Sequence, residues 1–233
     1  LLDHALLALQ GPKAETVLSR HSLKLDTLNF MWGTKTEIAG LNCWVSRSGY
    51  TGEDGYEISV SVDKAVELTE KLLAEDEVKL AGLGARDSLR LEAGLCLYGS
   101  DLDETTTPIE AGLGWTIPKR RRHLNNFPGS DKIIQEFSKG PVRQRVGILP
   151  TQNAIARKGT VITADNGDDL GIVTSGGFGP TVGGPIAVGY VRTHAATMGE
   201  QLNLRIRNKA VTAVAVSYTH LRAHEPLRYL VCR

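Results

Sequence analysis

Tyr56-Glu57-Ile58-Ser59-Val60, followed from Asp63 by Ala65-Val66-Glu67-Leu68-Thr69-Glu70-Lys71-Leu72-Leu73, is the stretch that decides the fold class of this chain. Its first part alternates apolar and polar residues. That pattern predicts a strand with Tyr56, Ile58 and Val60 on one face and Glu57 and Ser59 on the other. The second part spaces its apolar residues at close to the helical period of about 3.6, with Asp63 placed to cap it, and predicts a helix that covers the apolar face. Strand and covering helix together point to a mixed α+β unit.

The same reading extends upstream. Residues 6–9 form an apolar run ending at Gln10-Gly11, and Pro12 stands where a helix can begin, with Ala14, Val17 and Leu18 as its apolar positions. Residues 29–32 and 42–45 are further strand candidates, separated by turns at Gly33 and Gly40. Downstream, residues 86–93 have helical composition between Gly84 and Gly94, which puts Arg86 in the helix's first turn. Residues 101–107 read as an acidic, threonine-rich loop, and residues 109–117 lead to the basic run Lys119-Arg120-Arg121-Arg122.

From Val142 the texture changes to short β-rich stretches at 145–149, 159–162, 170–174, 186–191 and 202–206, the pattern of a small barrel or sandwich. The glycine-rich run Gly176-Gly177-Phe178-Gly179-Pro180 lacks the strand-to-helix context of a phosphate cradle and reads as a turn. The expected organisation is a core over 1–139, a β domain over 140–216 and a tail over 217–233, which continues neither strand alternation nor an amphipathic helix and is expected to stand outside the fold.

At 233 residues, 41% hydrophobic and 23% charged with a net charge of +1, the chain has the composition of a globular protein without a general drive toward nucleic acid. Cys43, Cys96 and Cys232 show no CxxC or Cys/His spacing, so free thiols in a reducing compartment are expected rather than a metal site. No apolar run approaches the roughly 20 residues that span a bilayer. The chain opens at Leu1 without an initiator methionine or a leader, so a genuine N-terminus lying further upstream is expected.

Glu57, set apart from the apolar face, can accept two parallel hydrogen bonds from a guanidine-like heterocycle edge, or can simply face solvent. Arg86 gains nothing from the dipole at a helix start: it pairs with Asp87, stands solvated there, or meets a carboxylate on a ligand or on a neighbouring strand. Tyr50, Tyr98 and Trp115 can stack on a flat ring or fill a core. The basic run is either a solvated face or a dock for an acidic protein. His4, His21, His123 and His194 have no companions for nucleophilic or metal chemistry.

Taken together, SRSGYTGEDGYEISV from Ser46, LAGLGARDSLRLEAGLCLYGSDLDETTTPIEAGLGW from Leu80 and VTSGGFGP from Val173 resemble the glycine cleavage T protein, the aminomethyltransferase family, from near Leu6 to about Val216. The resemblance implies a partial folate-binding core followed by a β-barrel-like C-terminal domain. It implies transfer of a one-carbon unit from the aminomethyl-lipoyl H protein to tetrahydrofolate with release of ammonia. By motif, Glu57 would hold the pterin edge, Tyr50 and Tyr98 would line the ring pocket, Arg86 would share the folate and substrate site, and Trp115 and Arg145 would face the same cavity. The basic run Lys119, Arg120, Arg121 and Arg122 would meet the H protein. No metal, nucleic acid or membrane is implied, and a eukaryotic member would sit in the mitochondrial matrix. The family's catalytic aspartate is expected before Leu1, and its aromatic C-terminal segment is replaced here by the tail. Two related readings stay open: the folate-binding domain of a sarcosine or dimethylglycine dehydrogenase, and a non-enzymatic iron-sulfur assembly factor, whose marker cysteine has no counterpart near Gly112-Leu113-Gly114-Trp115.

Overall fold

A computed structural model describes residues 3–22, 25, 27–207 and 209–218. The chain forms two compact units, one running to Leu89 and the other starting at Arg90.

In the first unit four antiparallel strands, β1 (His4–Gln10), β2 (Gly33–Ile38), β3 (Leu41–Ser46) and β4 (Gly55–Ser61), pair in the order β1-β4-β3-β2. Tyr56, Ile58 and Val60 on β4 are essentially inaccessible, whereas Glu57 and Ser59 are only half-buried, as the alternation requires. Helices α1 (Ala14–Ser19) and α2 (Ala65–Leu73) bring Ala14, Val17, Leu18, Leu68 and Leu72 into the same core. The β2–β3 hairpin closes through Ala39 (φ 51°) and Gly40 (φ 80°), two left-handed residues that match the twist of the flanking strands.

Two local expectations change. Residues 29–32 form a turn rather than a strand: the Trp32 N–H donates to Asn29 O at 3.0 Å and Met31 takes φ 66°. The strand starts instead at Gly33, where the Trp44 ring lies 3.0 Å from the place a Cβ would occupy. Asp63 does not cap α2, because its carboxylate accepts the Ser61 hydroxyl and a 3-10 turn over Val62–Lys64 leads into the helix.

Helix α3 (Leu83–Glu92) carries the chain past Leu89 and stops at Gly94 (φ 70°). A largely irregular stretch with a 3-10 turn at Gly114–Thr116 follows, then α4 (Lys119–Leu124) and α5 (Ser130–Lys139), neither expected as a helix from the sequence. Six strands, β5 (Arg143–Pro150), β6 (Val161–Thr163), β7 (Asp169–Gly179), β8 (Gly184–Arg192), β9 (Gln201–Ile206) and β10 (Lys209–Val216), close an antiparallel barrel in the order β10-β5-β8-β7-β6-β9. Val146, Ile148, Ile162, Leu202 and Ala213 fill it. The barrel alternative is therefore the correct one.

Gly176 to Gly179 is strand, not turn, pairing with residues 184–187 of β8. The glycines answer a different need. A Cβ on Gly176 would come within 2.0 Å of Ala156 O, so a passing main chain excludes any side chain there. Tyr218, expected in a tail outside the fold, donates its hydroxyl to Gly112 O at 2.9 Å, so the folded chain extends past Val216. The rest of that tail lies outside the described residues.

Asp101 opens the acidic segment read as a loop, and it is buried with Arg90 in an ion pair of 2.6 Å. Its two oxygens also receive Leu97 N–H at 2.9 Å and the Ser175 hydroxyl at 2.7 Å, while the Tyr190 hydroxyl bonds its carbonyl at 2.7 Å. Arg90 reaches Ser175 Oγ at 2.9 Å. This network ties the end of α3 and residues 95–101 to β7 and β8. A satisfied buried pair contributes modestly, but removing one member strands the other charge. Asp101→Ala is expected to destabilise the chain by about 3–5 kcal/mol, and Asp103→Ala, at the exposed Asp103, by clearly less, both measured by urea denaturation.

Candidate functional site

Glu57 sits on the sheet face opposite the core, in register between Ala8 on β1 and Ser46 on β3. Ser48 Oγ donates to Glu57 Oε2 at 2.7 Å, and the Ser46 and Ser48 hydroxyls are 2.8 Å apart. A carboxylate offers about four acceptor positions, and one serine uses a single one of them. The group is therefore oriented without being saturated, which suits a ligand edge that presents two N–H donors.

Ser48 and Tyr50 lie on the connection between β3 and β4. Its base is held by Arg47, whose guanidinium makes a two-pronged contact with Asp54 at 3.0 and 2.6 Å and also reaches Glu15 at 2.9 Å and Leu28 O at 3.3 Å. The Arg86 guanidinium stands 4.7 Å from the centre of the Tyr50 ring, a cation–π contact that leaves the exposed Arg86 able to donate outward. The first unit thus brings Arg86 to Tyr50 and Ser48 to Glu57, and one connection carries both Ser48 and Tyr50.

Tyr98, Trp115 and Arg145 belong to the second unit. Tyr98, in an isolated bridge with Leu102, is 71% exposed, and Trp115, in the 3-10 turn, is 59% exposed, so neither is core filler. Arg145 is buried: its Nε donates to Ala111 O and its Nη1 to Gly94 O, each at 2.9 Å, and it lies 4.1 Å from the Tyr218 ring centre. Of the basic run, Lys119, Arg120 and Arg121 are exposed on α4. Arg122 instead donates to Ile117 O and Gly114 O at 2.7 and 3.0 Å and stacks on Phe137 at 4.0 Å.

A depression of about 1020 Å³ elsewhere in the first unit is lined by Arg20, His21, Lys35 and Trp44, among others, and includes none of Tyr50, Glu57 or Arg86. Its main cation is already used: Arg20 is paired with Glu75 and Glu77, and His21 with Glu75. Glu77 is held down to about 2 by those Arg20 bonds. Polar residues of the candidate site that the sequence reading did not single out are Ser48, Arg47 and Asp54. The only local hint was a run of polar residues among three glycines, Gly49, Gly52 and Gly55.

Among the described residues, no group of three or more His, Cys, Asp or Glu is arranged to hold a metal ion, and no helix is long and apolar enough to cross a membrane.

The match to known proteins covers both units. A family model described as the GCVT N-terminal domain matches residues 2–121, and one for the glycine cleavage T-protein C-terminal barrel domain matches residues 143–220. The chain belongs to the glycine cleavage T-protein family. A probable mitochondrial aminomethyltransferase of Schizosaccharomyces pombe is 43% identical over 222 residues, covering 94% of this chain and 57% of that protein. The mitochondrial aminomethyltransferase of Mesembryanthemum crystallinum is 45% identical over 216 residues, covering 91% and 52%. The crystal structure of the glycine cleavage system aminomethyltransferase T from Bartonella henselae superposes with a TM-score of 0.87 at 43% identity, over 93% of this chain and 59% of that one. The chain spans about half the length of the curated relatives it matches.

Burial pushes the thiols of Cys43 and Cys96 up from their ordinary value. Cys232 lies outside the described residues. Because the thiolate is the reacting form, alkylation of Cys43 and Cys96 at pH 8 is expected to run about tenfold slower in the folded chain than in urea, read peptide by peptide by mass spectrometry.

Proposed function

We propose that this chain serves tetrahydrofolate-dependent aminomethyl transfer in the glycine cleavage system, taking a one-carbon unit from the aminomethyl-lipoyl H protein, with ammonia released. The observation that carries the reading is Glu57, a half-buried acid on the non-core face of the central strand, oriented by Ser48 and unsaturated. Relatives named aminomethyltransferases at 43 to 46% identity support this reading over a flavin-linked dehydrogenase or an assembly factor.

The residues fit a pterin. Glu57 would accept its paired ring N–H groups, and a planar acceptor of that geometry rejects rings lacking the pair. Arg86, stacked on Tyr50, would donate to a carboxylate or carbonyl of the ligand or of the lipoyl-borne substrate. Tyr98 and Trp115, in the second unit, are exposed aromatic side chains. Arg145 would act one step removed: its bonds to Gly94 O and Ala111 O brace both ends of the segment that carries Tyr98. Tetrahydrofolate, when bound, supplies the nitrogens that take up the one-carbon unit. The chain's own contribution is to hold and orient the reacting partners and exclude water, which is catalysis by positioning.

For the H protein, Lys119, Arg120 and Arg121 are exposed cations at the start of α4 that suit an acidic lipoyl carrier, while Arg122 holds the Gly114 carbonyl next to Trp115. The mitochondrial names of the relatives support a matrix location for a eukaryotic protein. Glu57→Gln is expected to weaken tetrahydrofolate binding on the order of 10- to 100-fold with little change in thermal stability, measured by isothermal titration. Equal affinity in the two forms would remove Glu57 from the site.

A further inference from the structure

Gln10, the last residue of β1, reaches into the β3–β4 connection and is wrapped by it. Its Nε2 donates to Ser48 O at 3.0 Å and Tyr56 O at 3.4 Å, and its Oε1 accepts the Thr51 hydroxyl at 3.0 Å. The wrapping is close enough to exclude side chains. A Cβ on Gly49 would fall 1.9 Å from Gln10 Oε1, and one on Gly55 would fall 2.6 Å from its amide carbon and 2.7 Å from Leu9 O. Gly49 and Gly55 are therefore glycines because an amide occupies the space where their side chains would stand.

The bonded atoms define what the amide controls. Ser48 O and Ser48 Oγ belong to one residue, so the amide that fixes the Ser48 carbonyl also fixes the hydroxyl that orients Glu57. Thr51, 8% exposed, follows Tyr50 directly, so anchoring its hydroxyl sets the chain beneath the ring that Arg86 covers. Arg47 and Asp54 hold the outer ends of the connection, and Gln10 holds its middle. Gln10 alone thus joins Ser48, Tyr56 and Thr51 through one side-chain amide among the hydrogen bonds described above.

We propose that Gln10 is a positioning residue for ligand binding: its side-chain amide is the template around which residues 48–55 set, and it places Ser48 against Glu57 and Tyr50 beneath Arg86. The proposal rests on the functional reading above for what is bound, but not for the template itself. A glutamine suits this task because it offers donor and acceptor from one planar end, so main-chain carbonyls and a hydroxyl are satisfied at once. The glutamate of equal size would set a carboxylate against two carbonyls.

The test compares the chain with Gln10→Met, of similar volume, and with the milder Thr51→Val. Amide hydrogen exchange of residues 48–55 reads the template without any ligand. Both variants are expected to exchange faster there, Gln10→Met by about tenfold or more, with the β2–β3 hairpin and α2 unchanged. Tetrahydrofolate titration reads the positioning: a loss of about 10- to 100-fold is expected for Gln10→Met. Gln10→Met combined with Ser48→Ala should be no worse than the worse single variant, because both act through Glu57. Unchanged exchange over 48–55 in Gln10→Met overturns the template. Faster exchange with full tetrahydrofolate affinity, or fully additive losses in the double variant, overturns the positioning role. Absence of tetrahydrofolate binding by the unaltered chain would sink the functional reading and the positioning role with it, and is distinguished by normal exchange protection of the same residues.

Discussion

Strand β4 is paired on both sides, and that fixed register is the constraint on which the candidate site depends. With Ala8 opposite Glu57 on one side and Ser46 opposite it on the other, β4 cannot slip by one residue against its neighbours without turning Tyr56, Ile58 and Val60 out of the core. Burying three such side chains is worth several kcal/mol, on the order of 1.5–3 kcal/mol each. Glu57 is thus held on the opposite face by apolar groups it never touches. The hydrophobic effect chooses the face, and the hydroxyl of Ser48 then chooses the orientation.

The second unit solves a different problem with a different device. Its barrel closes on itself and needs no outside strand, but residues 90–139 must be attached to it. Arg90 and Asp101 do this through a pair whose polar partners come from β7 and β8, Glu92 accepts the Thr181 and Val182 N–H groups at 2.7 and 3.0 Å, and Arg143 reaches Glu110 at 3.2 Å. Buried charge of this kind specifies an arrangement more than it stabilises one. Tyr190 belongs to the same set: its hydroxyl is spent on Asp101 O, and burial pushes its ionisation well above the ordinary range.

What the sequence made legible follows the range of the forces involved. Alternation on β4, the apolar periodicity of α1 and α2 and the stop at Gly94 are local patterns, and they appear where residues 56–60, 14–18, 65–73 and 94 predict them. Residues 29–32 misled because a left-handed Met31 leaves no mark in composition. Gly176 to Gly179 misled because glycine serves a close main-chain crossing as readily as a turn, and Ala156 is distant in sequence. The burial of Asp101 and the amide of Gln10 are set by partners 74 and 41 positions away, which single-sequence patterns do not encode. At the site, the motifs named Glu57, Arg86 and Tyr50, but the groups that aim them were visible only in three dimensions.

The account stands on one claim, that the non-core face of the first unit's sheet is the ligand face and Glu57 its anchor. A crystal structure of the chain with tetrahydrofolate tests this most directly. The pterin edge is predicted to lie within about 3 Å of the Glu57 carboxylate, with Ser48 still bonded to Oε2. A pterin bound instead in the depression beside Arg20 and Trp44, with Glu57 untouched, would contradict Glu57 as the anchor.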